Sequence, residues 1–209
     1  MKFIDVPYID QTGGGAFTGC ESVSTVMLLN YLGIDMSIYE FIDNYLDKEP
    51  FKEEGGVLYG PDPWKVFAGN PYDKESMGCY APVIVNSLRK VFSEDSEVKE
   101  KGLRYEVTDE TGSSMEELCR KYIDNGMPVI IWATIDMKEY IKGPYWKLYE
   151  NGEDFMWRSN EHCLLLVGYD DENYILNDPW NNNGIVHHEK SLVEDRYASQ
   201  YSQAVGISG

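Results

Sequence analysis

Four residues of this sequence have types that perform acyl transfer when they meet: Gln11, Cys20, His162 and Asp178. Cys20 follows the glycine-rich run Gln11-Thr-Gly-Gly-Gly-Ala-Phe-Thr-Gly19 and stands where a helix should begin. There, open N–H groups and the positive dipole end would stabilise a thiolate. The bland alternative is a small buried apolar residue, which is how most free cysteines behave. A thiolate nucleophile needs a base, and the chain offers His162, His187 and His188. His162 opens the apolar run Cys163-Leu-Leu-Leu-Val167, a strand that would hold its backbone rigidly. His187 and His188 lie between Asn181-Asn-Asn-Gly184 and Glu189-Lys190, which suggests a solvated turn. A structural, hydrogen-bonded histidine is the competing reading of His162.

The base in turn needs an acceptor to fix its tautomer, and a returning strand ends in Asn177-Asp178-Pro179-Trp180. Successive strand residues face opposite ways, so either Asp178 or Asn177 can point at His162, but not both. Without its partners, Asp178 would read as a turn residue before proline. Gln11 lies upstream on the glycine loop, where its amide, with the Cys20 backbone N–H, could hold a developing oxyanion. Trp180, next to the acid, is expected to shield the histidine–carboxylate pair from water.

The elements that must position these groups are well signalled. Val23, Val26, Met27, Leu29, Tyr31 and Leu32 make the segment from Cys20 to Leu32 apolar almost all round, as in a buried helix, and Gly33 stops it. Residues Ile34 to Met77 combine an amphipathic stretch, Ile38 to Leu46, with turn-rich sequence and read as a long surface excursion. A helix is predicted from Tyr80 to Phe92, with Pro82 in its first turn, followed by a charged loop through Lys101. A strand at Leu103 to Thr108 precedes a helix from Met115 to Asn125, for which Ser113 and Glu116 form a capping box. Val129 to Thr134 reads as a buried strand, and His162 to Tyr169 with Asn173 to Asn177 reads as a hairpin. Helices first and strands later imply an α+β domain with a cleft between two lobes.

Composition narrows the partners. With 209 residues, 43% of them apolar, the chain can bury a core of single-domain size. Its formal charge of −18 offers no basic excess for a phosphate backbone, which argues against nucleic acid as a ligand. No apolar run is long enough to span a bilayer. No signal peptide is visible after Met1, so a cytoplasmic location is expected for the chain as given, and an extracellular or envelope one if such a peptide was trimmed. The cysteines Cys20, Cys79, Cys119 and Cys163 form no Cys-x-x-Cys pair and no disulfide pattern; the last three read as structural.

Taken together, these segments resemble the C39-like peptidase family of the papain clan. Gly19-Cys-Glu-Ser-Val-Ser-Thr-Val-Met-Leu-Leu-Asn-Tyr-Leu-Gly33 resembles its cysteine-helix motif, Glu161-His-Cys-Leu-Leu-Leu-Val-Gly-Tyr-Asp170 its histidine motif, and Asn177-Asp-Pro179 its acid motif. Gly60-Pro-Asp-Pro63, Tyr80-Ala-Pro-Val-Ile84 and Gly126-Met-Pro-Val-Ile-Ile-Trp-Ala-Thr134 extend the likeness over nearly the whole chain, Cys79 being a departure from it. The resemblance implies a papain-like fold in one domain over residues 1–209: a helical lobe over about 10–100, with the nucleophile at a helix N-terminus, packed on an antiparallel sheet lobe over about 101–209. It assigns the four functional positions to Gln11, Cys20, His162 and Asp178. It implies a cysteine peptidase or amide hydrolase that acts on peptide or protein substrates and needs no metal or organic cofactor. A catalytically silent peptide- or wall-binding module and a thiol acyltransferase are the rival expectations for the same residues.

Overall fold

The computed structural model describes residues 1–209. A two-residue strand, β1 (Lys2–Phe3), leads through the glycine loop into α1 (Cys20–Tyr31), whose first ten residues are all buried, as its all-round apolar sequence requires. The helix α2 (Ile38–Asn44) starts at Ser37, whose hydroxyl accepts the Glu40 N–H at 3.1 Å.

The following segment departs from the expected surface excursion. It contains β2 (Lys48–Glu49), β3 (Lys52–Glu54), β4 (Val57–Gly60) and β5 (Phe67–Ala68), and Phe67 and Ala68 are fully buried. Its aromatic side chains explain the difference, because they need apolar cover that turn residues alone do not supply. Trp64 packs on Tyr80 with ring centroids 4.4 Å apart, and Tyr80 stacks on Trp157 at 5.2 Å.

The helix α3 (Ala81–Glu94) begins one residue before Pro82. The charged loop expected next is instead a short helix, α4 (Ser96–Lys101). The Asp95 carboxylate accepts the N–H groups of Glu97 and Val98, and Gly102 closes the helix at φ 64°. After β6 (Glu106–Asp109) comes α5 (Met115–Lys121), whose capping box joins Ser114 and Glu117, one residue later than the predicted Ser113 and Glu116. Ser113 bonds to Glu110 instead. The chain then runs through β7 (Val129–Thr134), β8 (Ile141–Leu148), β9 (Asp154–Ser159), β10 (Glu161–Tyr169), β11 (Asn173–Asp178), β12 (Gly184–Glu189), α6 (Lys190–Ser199) and β13 (Ala204–Ser208).

The main sheet has the order β12-β11-β10-β7-β13-β6, with β1 paired to the far end of β10, and every pairing in it is antiparallel. His187 and His188 lie in β12, opposite Ile175 and Tyr174, and not in a turn. A second sheet, β3-β4-β8-β9, joins the two halves of the chain by parallel pairing of Tyr59 with Lys147. The early residues are therefore not purely helical. A core of 50 buried residues draws on both halves, and α1 lies across β10 and β7. The Ser24 hydroxyl donates to the Cys163 carbonyl at 3.1 Å and fixes the helix against the strand that carries His162. No helix is long and apolar enough to cross a membrane.

Candidate active site

The first backbone bond of α1 runs from the Val23 N–H to the Gly19 carbonyl at 3.0 Å, so the Cys20 amide lies ahead of the helical ladder and remains a free donor. Gly19 sits tightly there. A Cβ on it would come within 3.0 Å of Pro71 and 3.1 Å of Ala16, which accounts for a glycine immediately before the cysteine. Cys20 is 5% exposed.

His162 is buried in β10, where it pairs with Ala133 of β7. Its Nε2 lies 2.6 Å from Asp178 Oδ1 on the last residue of β11. Asp178 also accepts the Trp180 backbone N–H at 2.9 Å and an Asn183 side-chain N–H at 2.8 Å. Burial works against ionisation of this carboxyl, but the bonds from His162, Asn183 and Trp180 outweigh it and hold Asp178 below its usual range. Asn177 faces the other way, its amide donating to the Val6 carbonyl at 3.2 Å. Asp178 is thus the residue that meets His162. The Trp180 ring stands edge-on to the imidazole, with centroids 6.4 Å apart.

Gln11 is 1% exposed although it belongs to the glycine loop. The loop folds back on the acid segment: the Gln11 N–H donates to the Pro179 carbonyl at 2.9 Å, and Asp10 Oδ1 accepts the Asn182 N–H at 3.0 Å. One amide hydrogen of Gln11 goes to the Phe17 carbonyl at 2.9 Å. Gln11, Cys20, His162 and Trp180 all line one cleft of about 250 Å³, with Phe17, Lys74, Met77, Trp157 and Glu161 among its other walls.

Two residues that the sequence reading did not single out dominate the electrostatics around the thiol. Glu21 follows Cys20, Glu161 precedes His162, and both are buried. Cys20 Sγ donates to Glu21 Oε2 at 3.4 Å and accepts the Cys163 N–H at 3.4 Å; no hydrogen bond joins it to His162. Glu21 Oε1 accepts the Cys79 N–H at 2.6 Å. Burial pushes Glu21 up to about 7, opposed by that backbone bond, and burial followed by the Glu21 charge pushes Glu161 well above the carboxylate range. Burial, then the charges of Glu21 and Glu161, push the Cys20 thiol up as well. The stabilised thiolate expected from the helix N-terminus is thus not a property of this resting arrangement, in which Sγ faces carboxyls. The available signal was a glutamate embedded beside each candidate residue at the edge of an apolar run.

The other cysteines are buried and free. Cys79 and Cys163 are raised well above the ordinary thiol range by burial and by the nearby glutamates, and Cys119 is pushed up to about 12, chiefly by burial. His187 is exposed and His188 half-buried on β12, and neither lines the cleft.

Comparison with known proteins places the whole chain among relatives of one fold. The chain is 27% identical over 164 residues to the uncharacterized protein YvpB of Bacillus subtilis (strain 168), an alignment covering 78% of this chain and 59% of that protein. It therefore spans about three fifths of the length of that curated relative. It also superimposes on the crystal structure of a candidate C39-like peptidase from Bacillus anthracis with a TM-score of 0.78 and 27% identity, covering 100% of this chain and 98% of the other. The family model matches from residue 3 to residue 205, so the cysteine helix, the histidine strand and the acid segment all fall inside one match, and the chain belongs to the Peptidase_C39 like family.

Proposed function

We propose that this chain is a cysteine peptidase or related amide hydrolase, folded as one papain-like domain, with Cys20 as nucleophile at a helix N-terminus, His162 as general base, Asp178 as its orienting acid and Gln11 in the oxyanion hole. The observation that carries the proposal is the buried 2.6 Å contact between His162 Nε2 and Asp178 Oδ1. It commits Nε2 to the carboxylate and leaves Nδ1 as the ring nitrogen available to a thiol in the same cleft.

Reaction begins when Cys20 turns about χ1 from Glu21 toward His162, a single rotamer step of a short side chain. Nδ1 takes the thiol proton, and the sulfur attacks the substrate carbonyl carbon. The oxyanion gathers donors from the Cys20 N–H and the second Gln11 amide hydrogen. The imidazolium then gives its proton to the departing amine nitrogen, and a thioester remains. Water, deprotonated by His162, attacks that thioester and releases the acid and the thiol. Throughout, Asp178 holds the ring in one tautomer and balances the imidazolium charge.

The test is covalent labelling with an epoxide thiol-protease inhibitor beside turnover of a peptide library. Labelling at Cys20 and peptide cleavage, both abolished in Cys20→Ala and both depressed in His162→Ala, are the expected results. A protein that binds peptides but neither cleaves them nor labels would be a binding module.

A further inference from the structure

Cys20 Sγ and one carboxylate oxygen each from Glu21 and Glu161 lie within 4.8 Å of one another, and all three residues are buried. Three acidic groups gathered out of water require compensation, either by protons or by a cation. No basic side chain supplies it. Neither glutamate takes part in an ion pair, and Lys74, the cation on the cleft wall, is engaged 4.8 Å above the Phe17 ring.

A second observation concerns Glu161 alone. It is 8% exposed, and its buried Oε1 has no hydrogen-bond partner. Glu21, by contrast, is anchored by the Cys79 N–H. The fold also makes room for both carboxyls: a Cβ on Gly78 would lie 2.5 Å from Glu21 Oε1 and 3.1 Å from Glu161 Oε2. A buried carboxyl with one unpartnered oxygen, held beside a second carboxyl and a thiol, is a set of ligand atoms without a cation.

We propose that Cys20, Glu21 and Glu161 form a site for a thiophilic divalent cation of the zinc class, which takes the thiol in its turned-away position and withholds it from His162. One sulfur and two oxygens suit such an ion, whose ligands stand about 2.3 Å (sulfur) and about 2.0–2.2 Å (oxygen) from the metal. Small side-chain rotations bring ligand atoms within 4.8 Å of one another to that spacing. Cys20 and Glu161 both line the cleft, so the fourth position opens to solvent and gives the ion a route in. Binding releases the thiol proton and the protons held by the two carboxyls to solvent and forms one sulfur–metal and two oxygen–metal bonds, with no oxidant or reductant required. Metal occupancy and hydrolysis then compete for one sulfur atom. The site is independent of turnover, and a protein with no peptidase activity would still bind the ion.

The experiment titrates the full chain, freed of metal with a chelator, with cobalt(II) chloride and follows the thiolate-to-cobalt charge-transfer band in the near ultraviolet. One equivalent is expected to develop the band, and zinc chloride to abolish it by displacement. Cys20→Ser should remove the band. Glu161→Gln, which breaks no hydrogen bond at Oε1, and Glu21→Gln should each weaken cobalt binding by about tenfold or more. His162→Ala and Cys79→Ala should leave it within about twofold. Circular dichroism checks that each variant is folded; should Glu21→Gln unfold, Glu161→Gln decides. Absence of the band in the parent protein would show that protons alone compensate the cluster. A band that survives Glu161→Gln unweakened, or that disappears in His162→Ala or Cys79→Ala, would locate the metal elsewhere. Any of these results overturns the proposal.

Discussion

His162 near the start of β10 reaches diagonally to Asp178 at the end of the neighbouring β11, Nε2 to Oδ1 at 2.6 Å, and the carboxylate is itself held by the Trp180 N–H and Asn183. An amide in place of the carboxylate can still bond to the ring, but it can present its N–H to Nε2 and favour the wrong tautomer. Asp178→Asn is therefore expected to lower kcat by about 10²–10⁴-fold with little change in KM, read by steady-state kinetics on a cleaved peptide.

Ser24 ties the cysteine helix to the histidine strand through its bond to the Cys163 carbonyl. Ser24→Ala removes that bond and leaves a strand carbonyl short of one donor in the core, so a loss of about 1 kcal/mol is expected in denaturant unfolding. Ser24 lies one helical turn after Cys20 and Cys163 is next to His162, so loosening this contact is also expected to lower kcat by more than the stability change alone would suggest.

Gly78 faces both buried carboxyls without any special backbone angle, so its role is steric. Gly78→Ala places a methyl group 2.5 Å from Glu21 Oε1, an oxygen already fixed by the Cys79 N–H. An overpacking cost of about 1–3 kcal/mol is expected, measured as a fall in the urea midpoint.

Glu21 makes stability depend on pH with a definite sign. Its carboxyl is raised by burial from 4.5 to about 7 in the fold, so the native state prefers the protonated form. That preference is fully present below the unfolded pKa and is lost as pH rises toward about 7, at a cost on the order of 3 kcal/mol above it. Glu21→Gln mimics the protonated acid. It should melt close to the parent protein at pH 4.5 and clearly higher at pH 8, by thermal unfolding in matched buffers. Equal shifts at both pH values would refute this role for the charge.

Sequence alone carried the parts of the fold that depend on local pattern. The all-round apolar helix after Cys20, the run Val129 to Thr134 and the hairpin around Asp170 each bury in the way their periodicity demands, and their boundaries fall within a residue or two of expectation. Within Ile34 to Met77 the amphipathic stretch Ile38 to Leu46 is the helix α2, whereas the strands after it escape the sequence because they are two to four residues long and one of them, β4, pairs with β8, far away in sequence. No local period can reveal a partner at that distance. The same holds for the site. The choice between Asn177 and Asp178 required the register of β10 against β11. The influence of Glu21 and Glu161 required knowing that two charged residues bordering apolar runs both turn inward to the same point beside Gly78.

The decisive measurement for the proposed chemistry is the rate of iodoacetamide alkylation of Cys20 against pH, followed by mass spectrometry of the Cys20 peptide, in metal-free parent protein and in His162→Ala. If His162 draws the thiol out of its contact with Glu21 and takes its proton, the parent protein alkylates at mildly acidic pH, and the His162→Ala profile moves up toward the free-thiol range with the acid-side reactivity gone. Superimposable profiles, both rising only as an isolated buried thiol ionises, would mean that the imidazole never reaches the sulfur, and the hydrolase proposal would fall.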